Sequence, residues 1–192
     1  LTLEQAKHGV DFWRSRYPEI AGRDGGWATS HDSLNYIARG DKVAIDPWGM
    51  CTTEKDAIVL PSGRRILYPN LRQQWVDKWD TVDGQRVKTK ELTWVYDDGR
   101  KLIYIYGGKV DENIVQALAR DIIFGQALAV FKRTGFRPKH KVYDELVYLP
   151  TPAQAPDLME IVGEEMRRPP SWWPELTLWS EGDIAPTYGA AK

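Results

Sequence analysis

HKVYDELVYLP, residues His140–Pro150, is the stretch whose reading decides the fold. Val142, Tyr143, Leu146, Val147, Tyr148 and Leu149 suit a strand, yet Asp144 and Glu145 stand side by side in the middle of the run. Acidic residues are depleted in strands, and burying a carboxylate is costly unless something pairs with it. Two readings account for the pair. Either it lies at a turn or sheet edge facing solvent, or at least one carboxylate holds Mg²⁺. That ion is usually bound by one or two carboxylates together with substrate phosphates. Two such ions about 4 Å apart activate an attacking hydroxyl and stabilise a leaving phosphate oxygen.

The stretch just before the acids, FKRTGFRPKHK (Phe131–Lys141), carries five Lys/Arg and no acid, as would suit a phosphate backbone. Arg64 and Arg65, with Arg72, form a second basic group. A charge run is usually just a solvated face, so these are weak signals for a polyanion.

The longest element precedes that basic stretch. Asp111 reads as an N-cap, and Ile114, Val115, Leu118, Ile122, Leu128 and Phe131 recur at helical spacing until Gly135 stops the run. Lys109, Asn113, Gln116 and Arg120 are spaced by four, three and four, which puts these donors on one face of the helix or its entry. Such a ridge suits a DNA minor groove, where every base offers an acceptor at a similar position. It is also what an ordinary wet helix face looks like.

Upstream, AIVL and RRILYP flank Pro61-Ser62-Gly63, and LTWVY and KLIYIY flank Asp97-Asp98-Gly99-Arg100; both read as hairpins. Gln73 to Lys90 between them reads as a polar excursion. At the start, Thr2 and Gln5 form a capping box before the apolar stripe Ala6, Val10, Trp13 and Tyr17. Residues 22 to 55 show only a short helical possibility near Ser33 to Ala38, and Arg39-Gly40-Asp41 reads as incidental. After the acid pair come a helix over residues 155 to 168, begun by Pro156, and a strand-like ELTLW. Strands and helices mix without a βαβ rhythm, so the class is α+β, with an antiparallel sheet whose hairpins pack on a long helix.

Composition narrows the classes. The 192 residues suffice for a domain with its own core, and 42% hydrophobic with 28% charged residues excludes a disordered chain. A net charge of −1 makes no global case for nucleic acid. The single cysteine, Cys51, excludes an internal disulfide, and three histidines (His8, His31, His140) argue against structural zinc. No apolar stretch is read as reaching the roughly 20 residues of a membrane span, so no membrane partner is expected and a cytoplasmic location is. Nine tryptophans are many, and Trp172-Trp173 between prolines suits a docking surface as readily as a core.

Taken in order, these segments resemble family A DNA polymerases, the DNA polymerase I type, and especially their phage members. YGGKVDENIVQALARDII (106–123) followed by KVYDELVY (141–148) is similar to the last third of that family's palm. LPSGRRILYPNLR (60–72) resembles the palm hairpin before it, and residues 1–20 the helix following the fingers. PELTLWSEGDIAPTY (174–188) resembles the closing segment, with its Glu181-Gly182 pair.

The resemblance implies that residues 1–192 are the C-terminal palm portion of a right-hand polymerase. It divides them into the post-fingers helix (1–21), the palm hairpins, long helix and motif C (56–149), and a closing part (150–192). Asp144 matches the metal-binding aspartate of motif C, and Glu145 its supporting acidic neighbour. Gln116 matches a glutamine touching the minor groove at the primer end, with Asn113 and Arg120 on the same face, although Glu112 stands where the bacterial pattern has asparagine. Tyr143 replaces the usual histidine that steadies the primer terminus, and the resemblance puts a turn at Tyr143-Asp144. Lys109, Arg64 and Arg65 are further expected DNA contacts.

The implied cofactor is Mg²⁺, in a two-metal site, and the implied substrates are primer-template DNA and a dNTP. Motifs A and B have no counterpart in the sequence. The expectation is therefore an N-terminal polymerase chain supplying them, with this chain inactive alone and the bacterial cytoplasm as its place if phage-encoded. The alternative is a non-catalytic DNA-binding scaffold that keeps the palm hairpin and helix.

Overall fold

The computed structural model describes residues 2–21, 26–82 and 85–191. The chain forms two compact units, Leu1–Val115 and Gln116–Lys192, and the longest helix runs through the boundary.

In the first unit, helix α1 (Leu3–Arg16) opens with the expected capping box: Gln5 N donates to Thr2 Oγ1 at 3.2 Å and Thr2 N to Gln5 Oε1 at 2.9 Å. A four-residue helix α2 (Pro18–Ala21) follows. The apolar stripe of α1 faces water, with Val10, Trp13 and Tyr17 all exposed. Helix α3 (Gly26–Arg39) is far longer than the short helix expected near Ser33 to Ala38. Its polar first half hid it, because that half carries a tertiary hydrogen bond from Ser30 rather than an apolar stripe. Ser33 donates to the Ser30 carbonyl at 2.7 Å, and the Ser30 hydroxyl donates to Asp111. Leu34 and Ile37 are fully buried. The helix ends at Gly40, whose φ of 87° suits glycine, and Arg39 pairs with Asp41 at 2.7 Å.

Strands β1 (Thr52–Glu54), β2 (Ala57–Val59) and β3 (Arg65–Leu67) form the first antiparallel sheet, with the expected turn at residues 61–63. The second sheet joins β4 (Arg72–Val82), β5 (Gln85–Asp97) and β6 (Leu102–Ile105) in that order. The Asp-Gly hairpin lies where the sequence put it. Asp98 accepts the N–H groups of Lys101 and Arg100, each at 2.8 Å, which hold its carboxyl below the usual range.

The polar excursion at Gln73 to Lys90 is instead most of a long two-stranded ribbon, paired from Arg72↔Val95 to Val82↔Gln85. Burial did not reveal it, because cross-strand backbone bonds and the ion pairs Lys78–Glu91 (2.8 Å) and Lys88–Asp77 (2.7 Å) hold it in water. At its base, buried Tyr68 meets Tyr96 edge-on, with centroids 5.3 Å apart. Burial pushes the Tyr68 hydroxyl up to about 12, against a hydrogen bond from Asn113 at 3.2 Å.

Helix α4 spans Gly107–Thr134. Asp111 is not its N-cap: the helix has begun a turn earlier, with Lys109 N and Val110 N already bonded to the Tyr106 carbonyl, and Asp111 accepts from Ser30 instead. Gly135, with φ of 75°, ends it as expected. Contrary to the reading that no stretch approaches a membrane span, α4 is long and apolar enough to cross a bilayer by length and composition. Core helices pass the same test, and Arg120 and Asp121 at mid-helix would each cost about 3 kcal/mol in a bilayer.

The second unit packs the last turns of α4 on α5 (Ala155–Arg167). Val130, Leu158 and Val162 are buried together, and Phe136, Tyr148 and Met166 pack against them. Gln126 donates to the carbonyls of Met166 (2.9 Å) and Arg168 (3.3 Å). Buried Glu165 accepts from Arg133 at 2.7 Å and pairs with Arg168 at 3.1 Å. Strands β7 (His140–Val142) and β8 (Glu145–Val147) form a two-stranded sheet. ELTLW is not a strand: no described strand pairs with it, and it follows turns built from Pro170 and Trp173. The class is α+β, with antiparallel sheets and one long helix, as the sequence indicated.

Candidate functional site

The acid pair is resolved by a tight turn. Val142 and Glu145 are the last paired residues of β7 and β8, so Tyr143 and Asp144 are the two loop residues at the apex. Tyr143 takes a φ of 50°, a left-handed conformation that costs a residue with a Cβ roughly 1–2 kcal/mol. Strain of this kind, held by surrounding structure, concentrates at functional sites. Lys141 Nζ donates to the Tyr143 carbonyl, and the ring of Tyr143 is 89% exposed.

The two carboxylates differ in what they hold. Glu145 is half-buried and accepts the hydroxyl of Tyr188, 43 residues later, in the closing segment. Asp144 is exposed and has neither hydrogen bond nor ion pair among the described residues. A carboxylate in that state suits one corner of a Mg²⁺ shell, which takes one or two protein carboxylates and fills the rest with water and phosphate oxygens. Among the described residues no group of three His, Cys, Asp or Glu converges to hold a metal. The donor set thus fits a shared site completed by other oxygens and does not fit a metal cage of its own.

The helix stripe is divided by its surroundings. In the first unit, Asn113 donates to the Tyr68 hydroxyl and Lys109 pairs with Glu112 at 2.9 Å, so both are occupied within the fold. In the second unit, Gln116 and Arg120 are exposed. The Arg120 guanidinium lies 5.4 Å from the centre of the Phe124 ring, and Lys141 lies 5.7 Å from the same ring. That shared ring brings Arg120 of α4 and Lys141 of β7 together within the second unit. Sequence reasoning missed Phe124, which looked like an ordinary apolar helix residue, and Tyr188, whose role depends on a contact across 43 positions.

Of the basic residues, Arg133 is spent on Glu164 and Glu165, both at 2.7 Å, and Arg137 stacks 4.6 Å from the centre of Phe131. Arg64 and Arg65 are exposed at the β2–β3 hairpin, with Arg65 bonded to Glu54.

No family model matches the chain, and no solved structure matches it. Among curated proteins it is similar to a DNA polymerase of Bacillus phage SP02, at 32% identity over 136 residues, covering 68% of this chain. The matched segment spans 19% of that polymerase's length. The chain is therefore related to a phage DNA polymerase, over a portion that is a fifth of the relative's length.

Proposed function

We propose that this chain supplies the motif C carboxylate of a family A-type DNA polymerase, working with a partner chain that carries motifs A and B. The observation that carries the reading is Asp144: an unpaired, exposed carboxylate at the apex of a strained hairpin, beside an acid tied down by Tyr188. Relation to a phage DNA polymerase supports it. In this role Asp144 holds Mg²⁺, which when bound stabilises charge on phosphate oxygens during attack of the primer 3′-hydroxyl on a dNTP. Glu145 fixes the hairpin, Gln116 reads the minor groove at the primer end, and Arg120 and Lys141 face the backbone phosphates. Tyr143 takes the position beside the primer terminus. Asn113 and Lys109 support the helix, and Arg64 and Arg65 are further DNA contacts.

The partner is supported by the apolar stripe of α1. Val10, Trp13 and Tyr17 are exposed together on one face of α1, and contiguous exposed apolar surface of this kind marks interaction sites. A non-catalytic DNA-binding scaffold is the second reading, favoured by Tyr143 in place of histidine and by the absence of a three-ligand group among the described residues.

The two are separated by purifying the chain with whatever binds it in its native host and assaying primer extension in Mg²⁺. The split-polymerase reading expects extension by the complex, none by this chain alone, and a second component whose sequence carries motifs A and B. Extension by a complex whose partner contains its own complete set of metal-binding carboxylates would leave this chain a scaffold.

A further inference from the structure

The register of the β4–β5 ribbon gathers one kind of chemistry on one face. Side chains two apart along a strand share a face. Trp75, Asp77 and Trp79 of β4 therefore lie together, opposite Leu92, Lys90 and Lys88 of β5, with Arg86 next along. The two indoles are 63% and 58% exposed. Arg86 lies 5.6 Å from the centre of the Trp79 ring, and Lys88 pairs with Asp77 at 2.7 Å. This face therefore sets three cations among two outward indoles, against one acid. On the other face Lys78 and Glu91 pair at 2.8 Å and cancel.

We propose that this face binds single-stranded nucleic acid, with Trp75 and Trp79 stacking on bases and Arg86 and Lys90 on the phosphates. Every base has a face on which an indole can stack whatever the sequence, and basic side chains beside the stack track the backbone. A duplex keeps its base faces inside, so exposed indoles gain nothing from it. Three cations interleaved with the aromatics, against one acid, match the charge of a polyanion along the whole face. Trp75 and Trp79 stand four residues apart, roughly 13 Å along the strand, so one strand laid along the ribbon reaches both. None of these residues belongs to the polymerase site, and the inference holds whichever reading of that site is correct.

The test is fluorescence anisotropy of a labelled oligothymidylate, and of a blunt duplex of equal length, with the full chain. Trp75→Ala with Trp79→Ala should weaken oligothymidylate binding at least about tenfold and leave duplex binding unchanged. Trp75→Tyr with Trp79→Tyr, which keeps aromatic faces at exposed positions, should retain most of the affinity. Arg86→Ala with Lys90→Ala should flatten the dependence of log affinity on log salt by about 0.7 for each phosphate contact removed. Unchanged oligothymidylate affinity in the alanine pair overturns the proposal and points to a protein partner for the ribbon. So does an equal loss for single strand and duplex.

Discussion

Tyr188 donates its hydroxyl to Glu145, so the closing segment of the chain is anchored to the first residue of β8, next to the apex that presents Asp144. One acid of the adjacent pair is thereby fixed and the other left exposed. A neutral donor on a carboxylate is a charge-assisted bond, stronger than the usual protein hydrogen bond. Tyr188→Phe removes it without changing the ring. Under the proposed function, primer extension by the chain with its partner should fall by about tenfold, on the order of 1.4 kcal/mol, with stability nearly unchanged because both groups can turn to water. Steady-state single-nucleotide addition measures it, and an unchanged rate would remove Glu145 from any supporting role.

Tyr143 separates strain from function. Glycine accepts its φ of 50° freely but loses more entropy on folding, so Tyr143→Gly should leave stability within about 1 kcal/mol of the parent. If the ring lies beside the primer terminus as proposed, extension should nonetheless drop, because that exposed ring is gone. Urea unfolding and primer-terminus affinity, read on the same variant, check the two halves.

Gly135 sets how the chain leaves α4 toward that hairpin. A Cβ at this position would meet nothing within 4 Å, so Gly135→Ala tests backbone strain alone, at φ of 75°. The expected loss is about 1 kcal/mol, seen as a lower urea midpoint with an unchanged slope.

Much of this was legible beforehand, and the misses share a cause. The capping box, the Asp-Gly turn, the glycine stop of α4 and the start of α5 are each written in two to four adjacent residues, so local rules found them. Helix α3 and the β4–β5 ribbon are held by long-range partners: Ser30 with Asp111, 81 residues away, and Lys78 with Glu91 across a strand pair. No local pattern announces such contacts. The same holds at the site. Asp144 and Glu145 stood out because acids interrupt a strand pattern, whereas Phe124 and Tyr188 gave no signal in sequence. Asp111 misled because an acid ahead of an apolar run looks like a cap whether or not a serine elsewhere claims it.

That serine contact gives a pH dependence. Burial raises the Asp111 carboxyl above its usual range, only partly offset by the Ser30 hydrogen bond. The folded state therefore holds this proton more tightly than the unfolded chain. The contribution of Asp111 to stability is most favourable below its ordinary value near 4 and is lost as pH rises through the raised one. Asp111→Asn keeps the acceptor for Ser30 and removes the charge. The variant should be as stable as the parent or more so at pH 7, with the difference closing at lower pH. Thermal unfolding across pH 3–7 follows it, and a difference that widens on acidification would contradict the assignment.

Glu165 shows the opposite asymmetry. The carboxylate is buried while its partners Arg133 and Arg168 reach water. Glu165→Met should shift the melting temperature by only a few degrees, since both arginines can solvate. Replacing both arginines by Met strands a buried charge and should cost far more. Equal losses in the two variants would sink this reading.

Single-nucleotide primer extension in Mg²⁺ by the complete assembly carrying Asp144→Ala bears on Asp144 most directly, read beside primer-template affinity. The rate should drop at least about a hundredfold, near 2.7 kcal/mol of barrier, while the DNA still binds. Extension at the parent rate with equal DNA affinity would show that Asp144 holds no catalytic metal.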